Sequence, residues 1–376
     1  MRIDVYVTVW GKPYVDKFLK YSLASQLAPA NLPAVSGDIE FAYHIYTDRA
    51  SVAHFALDRL RALAEVNFVF YEDIPYRGGT LAEAMANSDP ATVKHNVQRL
   101  TSRHMLMGAV ARGSDGVILL DSDFVFADGA WPAMIAAYRS GAKAVCAMFL
   151  RLEEERAVPL LPDLATGIAA PDLVQIGLDA MHPSLAAMFL QADPFTAYPS
   201  QLNWRVGPIT GKTEGYVTHC FFPHPLLVVP QGGVNYSGTM DYDYALRLAD
   251  DEAIHLVRSS DELLFCKMTP AAYNAGAVGA KPDIGALGRF VVSNTNLRHA
   301  LFMSQPIRYR AGGEEAVWRE TEARSTQFVE AVYRAAEAVV AGAKTDARTM
   351  VFLKSFLGPI EDFVSPQTAA RLKGWM

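Results

Sequence analysis

Apolar residues in the first half of the chain fall into short runs that alternate with longer stretches at helical spacing. Ile3–Val9 is β-branched and apolar and ends at Trp10-Gly11-Lys12-Pro13. Tyr14–Leu27 follows, with apolar residues at helical spacing (Tyr14, Phe18, Tyr21, Leu23 and Leu27). Phe41–Tyr46 is a second strand run, stopped by Thr47-Asp48, and Val52–Ala64 reads as a helix through Phe55, Leu57, Leu60 and Leu63. Val66–Tyr71 is a third strand, Val93–Ala111 a long helix, and Gly116–Leu120 a fourth strand running into Asp121-Ser122-Asp123. Short, wholly apolar strands alternating with helices predict an α/β protein whose mostly parallel sheet is covered on both faces. Ligands of such sheets sit at the carboxyl ends of the strands, where strand order reverses. Trp10, Asp48, Asp73 and Asp121 all lie just past predicted strand ends.

Residues 155–235 break this rhythm. They are rich in proline, glycine and aromatics, as in Tyr198-Pro199, Asn203-Trp204 and Phe221-Phe222-Pro223-His224-Pro225, and predict loops that build a binding surface. From Glu314 the helical pattern returns through Trp318, Phe328, Val332, Ala336 and Val339, with a shorter helix expected over Lys344–Leu357. Acidic residues such as Glu320, Glu330 and Glu337 argue against a membrane-surface helix and for packing on the core or self-association as a homodimer.

Composition narrows the class. The 376 residues would make two or three domains at about 150 residues each, or one large one. With 51% hydrophobic and 20% charged residues, the chain can bury a large core and is not a disordered one. A net charge of −6 argues against a partner that is nucleic acid. No apolar run approaches a membrane span, and the first residues form a strand pattern rather than a signal peptide, so a cytoplasmic protein is expected. Cys146, Cys220 and Cys266 are too few and too scattered for a disulfide framework or a cysteine zinc site. GxGxxG, GxxxxGK[ST] and GxSxG are absent, so dinucleotide, P-loop and α/β-hydrolase readings lack their fingerprints.

The sharpest chemical signal is Val117-Ile-Leu-Leu-Asp121-Ser-Asp123-Phe-Val-Phe126, an apolar strand delivering two carboxylates two residues apart. Side chains at that spacing on extended chain point the same way. Hard cations such as Mg²⁺ take one or two carboxylates and fill their remaining positions with substrate phosphates. The plainer alternative is a polar strand exit. On the preceding helix, Asn96, Arg99 and Arg103 share a face, which suits either phosphate or base contacts or a solvated surface. Asp241 and Asp243 open a helix, where carboxylates also suit the dipole.

The order of these elements resembles the nucleotide-sugar-dependent glycosyltransferases of the GT-A fold. The resemblance rests on the first strand, the strand ending Tyr46-Thr47-Asp48, the long helix and Leu119-Leu120-Asp121-Ser122-Asp123. It covers roughly residues 1–265 and matches no single family. It implies a GT-A-like, Rossmann-like mixed sheet flanked by helices, with a catalytic domain over 1–290. The nucleotide-binding half would be 1–125, the acceptor half 126–290, and 291–376 a mainly helical extension. It implies Mn²⁺ or Mg²⁺ bridging Asp121, Asp123 and a diphosphate, with His299 as counterpart of the C-terminal histidine ligand of several such families. Thr8, Val9, Trp10, Asp48, Ser122, Arg99 and Arg103 would meet the nucleotide, although Trp10 also suits core packing and Asp48 a helix cap. The segment Gly238-Thr-Met-Asp241-Tyr-Asp243 resembles the acidic helix start of inverting members, which makes Asp241 the base by position. Met240 departs from their usual glutamate. Trp204, His219, His224 and Asp243 would line the acceptor pocket, where aromatic faces suit sugar rings. The expected activity is hexosyl or N-acetylhexosaminyl transfer, inverting rather than retaining, from a UDP-sugar to a glycan or other hydroxyl acceptor. Two rivals remain. A sugar-nucleotide nucleotidyltransferase would need a glycine-rich basic loop after the first strand, for which Trp10–Pro13 is a poor candidate. A non-catalytic nucleotide- or sugar-binding protein would tolerate loss of Asp241.

Overall fold

The computed structural model describes residues 1–343, apart from 89, 208–212, 237, 249 and 274–275. The expected Lys344–Leu357 helix lies outside the described residues. The strands that build the architecture are, in chain order, β1 (Arg2–Thr8), β2 (Glu40–Thr47), β3 (Glu65–Phe70), β4 (Gly116–Asp121), β5 (Phe124–Phe126), β6 (Ala144–Ala147) and β7 (Leu150–Glu153). They continue as β8 (Gln201–Val206), β9 (Gly215–Cys220), β10 (His224–Val228), β11 (Ile254–Leu256), β12 (Phe265–Thr269) and β13 (Ile307–Arg310). Four helices matter to the site and its support: α1 (Pro90–Arg112), α2 (Met240–Leu248), α3 (Ile284–Asn294) and α4 (Glu315–Ala343).

Seven strands form the central sheet in the order β11-β6-β10-β4-β1-β2-β3. Only β10 runs antiparallel to its neighbours, so the sheet is mixed and mostly parallel. Period-two alternation distributes apolar residues to both faces. Along β1, Ile3, Val5 and Val7 enter one core and Tyr6 the other; along β4, Ile118 and Leu120 separate from Val117 and Leu119 in the same way. Helix α1 covers one face through Val97, Met105, Leu106 and Ala109. Trp131, on the helix Ala130–Arg139, fills the other against Phe41, Tyr43 and Phe126. In β1–β4 pairing, Thr8 stands beside Asp121, so both reach the carboxyl edge of the sheet together.

Two smaller sheets complete the core. In one, β12 lies between β5 and β7, antiparallel to the first and parallel to the second. In the other, β9 lies antiparallel between β8 and β13. The middle segment is therefore far more regular than its proline and aromatic content predicts, with Trp204 and Phe221 turned inward and Tyr198 exposed. Helix α4 lies on this region, with Val329, Val332, Tyr333 and Ala336 packed among Leu202, Trp204, Phe221 and Val291. A Cβ on Gly288 of α3 would stand 2.7 Å from the Ala336 amide nitrogen, a close approach of backbones that glycine permits. The tail helix thus packs on the core.

Two predicted helices differ in form. The first starts at Lys12, with Pro13 in its opening turn, and passes through π-helical turns over Phe18–Leu23. Val52–Ala64 is split: a 3₁₀ helix Arg49–His54 ends where Phe55 turns extended, and helix resumes only at Asp58–Arg61. Phe55 makes edge contacts with Phe18 and Phe68, so aromatic packing overrides the local helical pattern. Among the described residues, no helix is long and apolar enough to cross a membrane.

Candidate functional site

The site begins where β4 leaves the central sheet. Gly116–Leu120 is buried throughout, and Asp121 is the first residue with access to solvent. Ser122 and Asp123 form a turn, after which the chain enters β5 and the second sheet. Asp121 therefore reaches the cleft from the end of the strand and Asp123 from the turn that follows it. The Met268 amide of β12 donates to the Asp123 carbonyl at 3.1 Å and holds that turn. The cleft has a volume of about 410 Å³. Its walls include Thr8, Val9, Trp10 and Ser122 from the expected nucleotide set, with Lys94 and Tyr273 opposite. Trp10 is half-buried, its ring edge-on to Tyr71 at 5.5 Å. The Tyr71 hydroxyl donates to the Tyr46 carbonyl at 2.9 Å and pairs with Thr8 Oγ1 at 2.6 Å, which fixes the wall under the tryptophan.

The electrostatics centre on Asp121. Its Oδ1 accepts from Gln98 Nε2 of α1 at 2.5 Å, and its Oδ2 forms an ion pair with Lys267 Nζ of β12. Lys267 and Arg151 are register partners on β12 and β7, so the two cations stand side by side. Burial pushes the Asp121 carboxyl up, but Lys267, His224 and Arg151 outweigh it and hold the group below the ordinary carboxylate range. Asp123 moves the other way: burial and the neighbouring Asp121 charge raise it despite Lys267. Lys267 is the mirror of Asp121, raised because the two aspartates overcome its burial. Lys17, on the cleft wall, is tied to Glu154.

A second carboxylate arrangement lies beside this one. Asp241 opens α2, its side chain 40% exposed, and its Oδ1 is 2.9 Å from His224 Nδ1. The other ring nitrogen, Nε2, donates to the Leu119 carbonyl at 2.7 Å. Both partners are acceptors, an arrangement that favours a ring protonated on both nitrogens. Burial opposes that charge, but the Asp241 hydrogen bond, the charges of Asp241 and Asp121 and the Leu119 carbonyl raise the His224 pKa above its ordinary value. Burial holds the Arg151 pKa below its ordinary value, against the charges of Asp123, Asp121 and Asp241.

Other expected site residues lie elsewhere. Asp48 accepts from the Ser51 amide at 2.7 Å and caps the 3₁₀ helix. Arg99 and Arg103 lie on the exposed face of α1, and the cleft is met instead by Lys94 and Gln98, one residue round the helix. Trp204 is buried at 3% exposure between His219 and Phe328. His219 is wholly buried, with Nδ1 on the Met303 carbonyl at 2.7 Å and Nε2 on Ser325 Oγ at 3.0 Å. These two residues fasten α4 to the core and do not line the cleft. His224 is also buried and meets Asp241, which stands outside the lining of the cleft. His299 is buried beside Phe222, its Nδ1 accepting from the Asn296 amide at 3.1 Å. The side chain of Asp243 lies outside the described residues.

The donor set does not fit a divalent ion on Asp121, Asp123 and His299. Both oxygens of Asp121 already have donors. Among the described residues, no three His, Cys, Asp or Glu side chains gather as a metal-binding group.

The residues that sequence reading misses are Lys267, Arg151, Lys94 and Gln98. Lys267 carries a usable signal, a single cation inside the otherwise uncharged strand Phe265-Cys-Lys-Met-Thr. Nothing local ties it to Asp121, 146 positions away.

No protein-family model matches the chain, and no curated protein sequence matches it. Among solved structures, mouse xyloside xylosyltransferase 1 in its apo form is similar at 14% identity and a TM-score of 0.24. The similarity covers 40% of this chain and 53% of that one, about half its length. A likeness at that level carries no argument, so function has to be read from the site.

Proposed function

We propose that this protein is a glycosyltransferase of the GT-A type that moves a sugar from a nucleotide-sugar to a hydroxyl acceptor. The observation that carries the reading is the placement of two devices at one sheet edge. One is a cleft whose aspartates are matched by cations, with Trp10 on its wall for a base to stack on. The other is a carboxylate, Asp241, aimed by a buried imidazolium. In the reaction, the bond between the anomeric carbon and the diphosphate oxygen breaks, and its electron pair leaves with the nucleotide. The acceptor oxygen bonds to the anomeric carbon and gives its proton to Asp241. His224 keeps both its protons. It occupies Asp241 Oδ1 and so orients the second oxygen for the acceptor hydroxyl. This single displacement inverts the anomeric centre. UDP-sugars are the first donors to test, and a glycan is the acceptor class that such an enzyme serves.

A thermal-shift series with nucleoside diphosphates and nucleotide-sugars tests donor binding, because a ligand of the folded state raises the melting temperature by mass action. Transfer is then followed with the donor that binds. Asp241→Asn is expected to leave the donor shift intact and to slow transfer by about 10²- to 10⁴-fold. Transfer at a near-normal rate in that variant overturns Asp241 as the base. Donor binding without any transfer favours a non-catalytic binding protein, and no response to any nucleotide removes the reading altogether.

A further inference from the structure

The cation expected between the aspartates is already present as a side chain. Lys267 enters the cleft from β12 over the rings of Phe124 and Phe149, at 5.7 and 5.5 Å from their centres, and pairs with Asp121. Arg151 stands beside it in register, its Nη1 donating to Thr269 Oγ1 at 3.1 Å. Lys94 comes from the opposite wall, 4.0 Å from the centre of the Tyr273 ring. The cleft is lined by two carboxylates, Asp121 and Asp123, and by Lys267, Lys94 and the Glu154-bound Lys17, with Arg151 just outside the lining beside Lys267. The crowding of like charge is felt within the site. Lys94 is held below the ordinary lysine range by burial first and then by repulsion from Lys267 and Arg151. A dication placed on Asp121 would have to displace the Lys267 ammonium and the Gln98 amide, and would then meet Lys267, Arg151 and the His224 imidazolium as like charges. The arrangement suits a polyanion better than a metal.

We propose that the cleft binds the diphosphate of a nucleotide donor directly through Lys267 and Lys94, backed by the Arg151 charge, without a divalent metal. This rests on the nucleotide-donor reading above. The ammonium groups supply charge-assisted hydrogen bonds to the phosphate oxygens. Lys267, shared between Asp121 and the phosphate, meets the charge that develops on the leaving oxygen as the anomeric bond breaks. The lysine keeps its proton, and the acceptor proton still goes to Asp241.

Calorimetric titration of the full chain with UDP and GDP, in excess EDTA and separately with Mn²⁺ or Mg²⁺, tests the proposal. The expected result is the same affinity in both buffers. Lys267→Ala should weaken metal-free binding by about 10- to 100-fold, with Lys267→Arg largely restoring it. Because the alanine variant frees Asp121, it should gain a Mn²⁺-dependent component that the unaltered protein lacks. Lys94→Ala breaks no ion pair with the sheet and serves if Lys267→Ala does not fold; it should weaken binding by about 3- to 10-fold. Nucleotide binding that vanishes in EDTA and returns with Mn²⁺ overturns the proposal while leaving the donor reading in place. Absence of binding in both buffers overturns the donor reading, and the proposal with it.

Discussion

Asp4 and Asp121 are both buried carboxylates on neighbouring strands of one sheet, and they do different work. Asp4, near the start of β1, is fully buried and accepts from Ser114 Oγ and Arg112 Nη2, each at 2.6 Å, with His44 Nε2 at 3.3 Å. Burial raises its pKa, but His44, Ser114 and Arg112 prevail and hold it far below the ordinary range. Its partners close around it. Asp121, at the opposite end of β4, has comparable partners but opens on a cleft that also holds Asp123, raised by burial and by Asp121, with Lys94 among its lining residues. A buried ion pair alone therefore marks structure. An ion pair beside further charge and empty volume marks a site.

The comparison can be broken at several points. The largest effect is expected from Asp4→Ala, which strips a buried network of its centre and should cost roughly 3 to 5 kcal/mol in urea unfolding. Asp123→Asn removes a carboxylate that its surroundings disfavour and should change stability by no more than about 0.5 kcal/mol. Equal losses in the two variants would erase the distinction. Next come the two buried histidines, whose pH dependences have opposite sign. Burial brings His219 down to about 4, so the unfolded chain takes up its proton first as pH falls. Stability should drop by about 3 kcal/mol between pH ~6.5 and ~4, and His219→Gln should flatten that limb. His224 is raised, so its contribution is complete below its unfolded pKa of about 6.5 and is lost as pH rises through the folded value. Unfolding of His224→Gln followed above pH ~6.5 should show that loss on raising the pH disappear. The smallest effects belong to Arg99→Ala and Arg103→Ala, within about 0.5 kcal/mol and with nucleotide affinity unchanged; a large loss of affinity would return these residues to the site.

Much of the frame is legible from local pattern. The strand–helix alternation of the first half and the exit of β4 into Asp121-Ser122-Asp123 all follow from periodicity over a few residues. The charge balance of the site does not, because its cations arrive from β7 and β12, brought in by sheet register. On α1 the pattern identifies the helix but not its rotation, and one position separates the cleft-facing Gln98 from the exposed Arg99. Trp204 and His219 show a different failure. Aromatic and histidine content suits a sugar pocket and a core equally, and only contacts with Phe328 and Ser325, over a hundred residues on, decide between them.

The place of β13 has a consequence for how the chain is made. Strand β9 is buried along its whole length, yet one of its two partners is contributed by Ile307–Arg310. Until that segment has been synthesised, a newly made chain holds an apolar strand with one hydrogen-bonding edge open, the template on which chains stick to one another. The time that edge stays open is the time synthesis takes to move from residue 220 to residue 310. Slow codons or pauses in that interval should raise aggregation without altering any property of the finished protein.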